Sequence, residues 1–194
     1  MDEHEERLAW SARDIGPPPP DKASAGRANI QGQAVLYVAD DEKTAVSEVR
    51  PALGFYVSLA PITLLRDCRI LDLTKELPSL NPFVRESIGW HVEIRGLLRR
   101  LGEEMSRPLE RNEDRSLYVP CQRFADYIRE NGYDGIRYLS ALHPGGSSIV
   151  FFDPTVAEVG PAKLVKIAEV NFEYETDDEP RLADRLRAAS KIPH

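Results

Sequence analysis

Cysteine is scarce in this chain, and the scarcity removes whole classes of protein. Among 194 residues only Cys68 and Cys121 are cysteines, too few for a disulfide scaffold, and neither sits in a CxxC pair. Both are expected to be reduced and partly buried. His4, His91, His143 and His194 lack metal-ligand spacing and there is no HExxH, so no metal is assigned. No apolar run approaches the roughly 20 residues that a membrane span requires. A GxSxG elbow is missing as well, and Ser140 with His143 three residues on is a poor predictor of a hydrolase triad. Gly145-Gly146 lacks the lysine and following helix of a phosphate-binding loop. Positive charge is in deficit: 25 Lys and Arg stand against 32 Asp and Glu, a net charge of -7. That balance argues against general nucleic-acid binding, which needs surplus cations to displace counterions from phosphates. The densest basic stretch, Arg95 to Arg100, runs directly into Glu103 and Glu104 and reads as the polar face of a helix. The start, Met1-Asp2-Glu3-His4-Glu5-Glu6, is acidic where a secretory signal is basic and then apolar, so a cytoplasmic location is expected.

What is present is the composition of a soluble globular protein, 42% hydrophobic and 29% charged, at a length that suits one domain with tails. Residues 1–25 carry the Pro17 to Pro20 run, which favours extended geometry and suggests an arm or linker outside the core. Short apolar segments predict strands at Ala34 to Ala39, Phe55 to Ala60, Ile70 to Leu73, Ile136 to Leu139 and Ile149 to Phe152. His143-Pro144-Gly145-Gly146 predicts the turn between the last two. Leu164 to Tyr174 alternates like a further strand. Asn81-Pro82 caps a helix running to about residue 105, with Val84, Ile88, Val92, Leu98, Leu101 and Met105 at helical spacing. Phe124, Tyr127 and Ile128 mark one side of another helix, closed by Asn131-Gly132. The charged tail Glu175 to His194 places Leu182 and Leu186 one turn apart, a marginal helix or a partner-binding segment. Several short strands with separate helices define an α+β fold.

Glu48 is oddly placed. Asp40 or Asp41 is suited to cap a short helix that Pro51 must end, so Glu48 falls in its last turn, where the helix dipole disfavours an anion by up to about 1 kcal/mol. Ala45 and Val49 mark the expected buried stripe, with Glu48 beside it. A carboxylate at the wrong helix end, near an apolar face, serves stability badly. The plain alternative is an exposed glutamate paired with Arg50 or Lys43.

Two blocks, Gly26-Arg27-Ala28-Asn29 with Tyr37 and then Thr44-Ala45-Val46-Ser47-Glu48-Val49-Arg50-Pro51, and Gly132-Tyr133-Asp134-Gly135-Ile136-Arg137-Tyr138-Leu139-Ser140, resemble the RES domain. That family is named for an arginine, a glutamate and a serine. The resemblance runs from about residue 26 to about residue 153, which suggests an arm over 1–25, a domain over 26–174 and a tail over 175–194. It implies a mixed sheet with flanking helices like that of ADP-ribosyltransferases. It further implies a bacterial toxin that destroys NAD, the dinucleotide being substrate and no cofactor being needed. The bond at issue joins nicotinamide to ribose, with phosphate or water as acceptor. Other outcomes are ADP-ribosyl transfer onto a protein, or an NAD- or antitoxin-binding module without turnover. The implied partner is an antitoxin with a helix-turn-helix domain whose carboxyl-terminal part covers the site; self-association is left open.

By this resemblance Glu48 serves the ribose, and Arg27 offers a planar guanidinium fork to the pyrophosphate, although an isolated Arg27 reads as a surface turn residue. Tyr37 offers a flat face to nicotinamide or ribose, although alone it reads as a core strand tyrosine. Ser140 is suited to bond the carboxamide or a phosphate, against the ordinary reading of a serine that satisfies backbone groups. Tyr138 shares its sheet face by the two-residue period. Arg50 or Arg137 would supply a cation for acceptor phosphate, and Asn29 and Ser148 complete the substrate-binding set. Two positions depart from the family pattern: Ala28, where relatives place a larger residue, and Ser148, where they commonly have asparagine.

Overall fold

Short strand-forming segments assemble around one four-stranded sheet, and the two longest helices pack on one of its faces. The structure is a computed structural model that describes residues 9–75, 88–107 and 115–171. In chain order the elements are α1 (Ala12–Ile15), β1 (Leu36–Ala39), α2 (Glu42–Val49), β2 (Tyr56–Leu59), β3 (Ile62–Leu64), β4 (Ile70–Asp72), α3 (Ile88–Ser106), α4 (Val119–Glu130), β5 (Gly135–Leu139), β6 (Ser147–Phe151), β7 (Ala157–Val159) and β8 (Lys163–Lys166). The main sheet has the order β1-β6-β5-β4, with β5 antiparallel to β6 and parallel to β4. Two small antiparallel pairs, β2 with β8 and β3 with β7, lie beside it. Mixed strand directions with separate helices make this an α+β fold. No helix among the described residues is long and apolar enough to cross a membrane.

The two-residue period of the strands sorts the core. One face buries Ile136, Val150 and Phe152 against Met105 of α3 and Cys121, Ala125 and Ile128 of α4, with Tyr138 packed at the edge. The other face buries Leu36 and Phe151 with Val156, and Ile62, Ile70 and Ile149 pack there. Cys68 is half-buried, Cys121 is buried, and both are free thiols.

The strands predicted between residues 34 and 152 and the β5–β6 turn form within a residue or two of their expected bounds, and Gly132 takes the left-handed cap with φ 76°. The alternating segment expected over Leu164 to Tyr174 is strand only at Lys163–Lys166, because its partner β2 begins at Tyr56, just after a left-handed turn at Gly54, and residues 167–171 fall outside the ladder. The differences have physical causes. Tyr127 stays 62% exposed, because α4 turns Cys121, Gln122, Ala125 and Ile128 inward, and Val92 of α3 is likewise exposed. The stretch before Gly26 is not wholly outside the core. Ala23 is buried, and the Trp10 amide donates to Ser58 Oγ at 3.0 Å. Proline-rich chain has few amide donors to satisfy, so it can lie against the domain without a partner strand. The Asn81-Pro82 cap, residues 172–174 of the alternating segment and the Leu182/Leu186 helix fall outside the described residues.

Candidate active site

Helix α2 starts as its sequence dictates. Asp41 is extended and its Oδ1 accepts from the Thr44 amide at 2.9 Å, while Oδ2 accepts from Thr44 Oγ1 at 2.6 Å. The helix stops at Arg50, which takes the left-handed conformation at φ 50° before Pro51. Its buried stripe differs from the expected one: Thr44 is fully buried, whereas Val49 is 64% exposed. A threonine can occupy the interior here because its hydroxyl meets both Asp41 and His143 Nδ1, the latter at 2.9 Å. Glu48 lies four residues after Thr44, on the same helix face.

That face meets the β5–β6 turn. Ser140 Oγ donates to Glu48 Oε1 at 2.8 Å and accepts from the amides of Leu142 and His143, each at 3.2 Å. Ser140 therefore satisfies backbone groups and also holds the carboxylate. Close packing requires glycine at 146, where an added Cβ would stand 2.1 Å from Thr44 Oγ1.

The arginine block is a tight loop built from inside. Tyr37 accepts from the Ala28 amide at 3.1 Å and donates to Asn29 Oδ1 at 3.1 Å. The Asn29 amide nitrogen donates to the carbonyls of Ser24, Ile30 and Gln33, and Gln122 of α4 donates to the carbonyls of Gly26 and Asn29. A side chain at Gly26 would collide with Asn29 Oδ1 and the Tyr37 hydroxyl, at 2.7 and 2.8 Å. Asn29, expected to bind substrate, is buried with both ends of its amide engaged, so its contribution is the shape of the loop. Ala28 is also fully buried in the core, which makes its small size a packing matter. The loop delivers Arg27 to the end of α3, where its guanidinium donates to the carbonyls of Glu104 and Arg107 and lies over the Tyr118 ring, 5.4 Å from the centroid. Tyr37→Phe should destabilise the fold by about 1–3 kcal/mol, since groups of the buried residues Ala28 and Asn29 lose a partner. Urea unfolding measures it, and an unchanged midpoint would contradict the bonding described.

Arg27, Glu48, Arg50 and Tyr138 line one cavity of about 320 Å³, together with Met105 and Leu142 among others. Burial pushes the Tyr138 phenol up from its ordinary value, reinforced by the neighbouring Tyr37 and by the Glu48 charge. Burial pushes Tyr37 up as well, against the lowering bond from the Ala28 amide. Both phenols therefore remain protonated at neutral pH. Ser148 is buried with an unpartnered hydroxyl, directly across from Tyr138 in the β5–β6 register. Arg137 is not brought to this cavity. One residue from Tyr138, it projects from the opposite sheet face, donating to Asp40 and Ser147 with Asp72 at 3.6 Å. Sequence reading passed over Thr44, Gln122 and His143 as contributors. Only Thr44, four before Glu48, left a usable signal, by helical spacing. Among the described residues no group of three or more His, Cys, Asp or Glu is placed to hold a metal.

Hydrogen bonds from the Thr44 side chain and then its amide hold the Asp41 carboxyl below its ordinary range. A depressed folded value means that Asp41 stabilises the fold above its unfolded pKa of about 3.9 and loses that contribution as pH falls through the lower folded value. Asp41→Asn keeps a capping side chain but not the titration. It should narrow the loss of unfolding midpoint between about pH 5 and pH 2 relative to wild type. An identical pH profile would remove Asp41 from the acid response.

The RES domain family model matches residues 4–175, and the chain belongs to that family. The match covers most of the chain and takes in the stretch before Gly26. The family is generally associated with NAD-utilising enzyme activity and is consistent with an NAD-related toxin–antitoxin module. Neither the curated proteins nor the solved structures contain a match to the chain.

Proposed function

We propose that this protein breaks the bond between nicotinamide and ribose in NAD and passes the ADP-ribosyl group to phosphate or water. The supporting observation is the Glu48 carboxylate, held by the neutral Ser140 hydroxyl at the wall of a cavity that Arg27, Arg50 and Tyr138 also line. As the C–N bond breaks, its electron pair goes to the pyridinium nitrogen and nicotinamide leaves neutral, so no general acid is needed. Positive charge then develops on the ribose ring. An adjacent carboxylate stabilises it and anchors a ribose hydroxyl. An oxygen of phosphate or water forms the new bond to the same carbon; with water, a proton is released to solvent. Tyr138, protonated and on the cavity wall, serves as a hydrogen-bond donor and flat surface and not as a base, while Tyr37, whose hydroxyl hydrogen goes to Asn29, shapes the arginine loop. No step draws on a cofactor.

At about 320 Å³ the cavity is at the small end of ligand sites, which suits the nicotinamide ribose end with the remaining dinucleotide on its rim. Arg27 is the proposed pyrophosphate ligand. Arg50 is the proposed cation for acceptor phosphate, since Arg137 lies on the other sheet face. The biological setting proposed is the toxin of a pair whose antitoxin carries a helix-turn-helix domain. Incubating the purified protein with NAD, with and without phosphate, and identifying products tests the proposal. Nicotinamide with ADP-ribose phosphate indicates phosphorolysis, and nicotinamide with ADP-ribose indicates hydrolysis. Label on a protein band indicates ADP-ribosyl transfer instead, and binding without turnover overturns the enzymatic reading.

A further inference from the structure

Two hydrogen bonds tie α2 to the β5–β6 turn, and only one of them involves Glu48. Ser140 holds Glu48 Oε1 at 2.8 Å, and one helical turn earlier Thr44 Oγ1 lies 2.9 Å from His143 Nδ1. Thr44 and Glu48 stand above one another on the helix. Ser140 and His143 are joined by a turn in which the Ser140 amide donates to the Gly146 carbonyl and the Gly146 amide to the His143 carbonyl, each at 3.0 Å. The two contacts are therefore rungs of one ladder.

Proton counting gives the ladder a direction. Thr44 has one hydroxyl hydrogen, which it donates to Asp41 Oδ2 at 2.6 Å. Toward His143 it can only accept, so the ring carries its proton on Nδ1. The His143 amide in turn donates to Ser140 Oγ, whose own hydrogen goes to Glu48. Thr44 is fully buried and the turn closes over it at Gly146. Neither Thr44 nor His143 is among the residues that line the cavity. Glu48 itself is exposed on the last turn of a short helix, where nothing intrinsic to the helix fixes its long side chain.

Resting on the NAD-cleaving reading above, the geometry points to Thr44 and His143 as positioning residues that hold the Glu48 carboxylate in place through the Ser140 turn. Displacing a reacting group by about 1 Å can lower a rate about 100-fold without changing affinity, which is the signature to look for. The test uses the full chain with NAD and compares Thr44→Val, Thr44→Ser, His143→Ala and His143→Asn. Thr44→Val and His143→Ala should lower kcat by about tenfold or more and leave KM within about twofold. Thr44→Ser keeps the hydroxyl and His143→Asn keeps a donor near Nδ1, so both should retain most activity. In a Glu48→Gln background Thr44→Val should change the residual kcat less than about twofold, because the negative charge it positions is gone.

A Thr44→Val enzyme with wild-type kcat, or one whose defect persists undiminished in the Glu48→Gln background, would overturn the inference. Should Thr44→Val fail to fold, the His143→Ala and His143→Asn pair decides by the same criteria. Should wild type consume no NAD, the functional reading fails, and nitrogen NMR of the His143 ring judges the ladder separately. A protonated Nδ1 that is lost in Thr44→Val supports it, and protonation on Nε2 alone overturns it.

Discussion

Glu48→Gln should lower NAD turnover by about 100-fold or more while NAD binding changes little. The substitution keeps the shape of the side chain and its acceptor for the Ser140 hydroxyl, so the turn that Ser140 organises stays in place. Only the negative charge is removed. Because the charge acts on a ribosyl cation that exists in the transition state and not in bound NAD, the loss belongs in kcat and not in KM. Substrate affinity measured by calorimetry should therefore match wild type, and single-turnover nicotinamide release should carry the whole defect. Turnover close to wild type would assign the electrostatic role to another group. The phenols of Tyr37 and Tyr138 are poor substitutes, since burial keeps both protonated.

The fold was readable wherever punctuation and periodicity agree. Asp41, Pro51, Asn131-Gly132 and the His143 to Gly146 turn each fix a local backbone state, and α2, α4 and the β5–β6 hairpin form between them. The short strands β3 and β7 were not legible, because three-residue pairings are set by tertiary neighbours and leave no pattern of their own. Which helix face is buried was the weak point. The apolar pair Ala45 and Val49 outlined a stripe, yet hydrogen bonding placed Thr44 inside and left Val49 out. Periodicity counts apolar residues and cannot see a polar group whose partner is 99 residues away.

The same limit divides the candidate site. Arg27, Glu48 and Tyr138 meet at one cavity, whereas Ser140 and Tyr37 do not line it: Ser140 bonds Glu48, and Tyr37 lies near Tyr138. Arg137 was separable from Tyr138 by the strand period alone, since neighbours in a strand face opposite sides. Asn29 was not separable by sequence. Its partners are three carbonyls and the Tyr37 hydroxyl, and only the folded loop reveals that both ends of its amide are engaged within a buried residue.

Arg27→Ala should weaken NAD binding by about ten- to a hundredfold, the equivalent of the roughly 1.5–3 kcal/mol carried by a charge-assisted bond. A guanidinium on the pyrophosphate is engaged before and during the reaction alike, so the defect should appear in KM with kcat largely preserved. The structure adds a second job, because the same fork donates to the Glu104 and Arg107 carbonyls at the end of α3 and lies over Tyr118. Its loss should lower the unfolding midpoint as well, since carbonyls of the last helical turn lose their donor. Nicotinamide riboside separates the two jobs, because it lacks the pyrophosphate. If Arg27 recognises that group, its removal should raise KM for NAD and leave KM for nicotinamide riboside nearly unchanged. If Arg27 only props α3 against the cavity, both constants should rise together. Arg27→Lys should recover only part of the affinity, because an ammonium keeps the charge but cannot span two carbonyls and an anion with one planar fork. A fall in kcat alone, with both KM values at wild type, would move Arg27 from the pyrophosphate to the reacting centre.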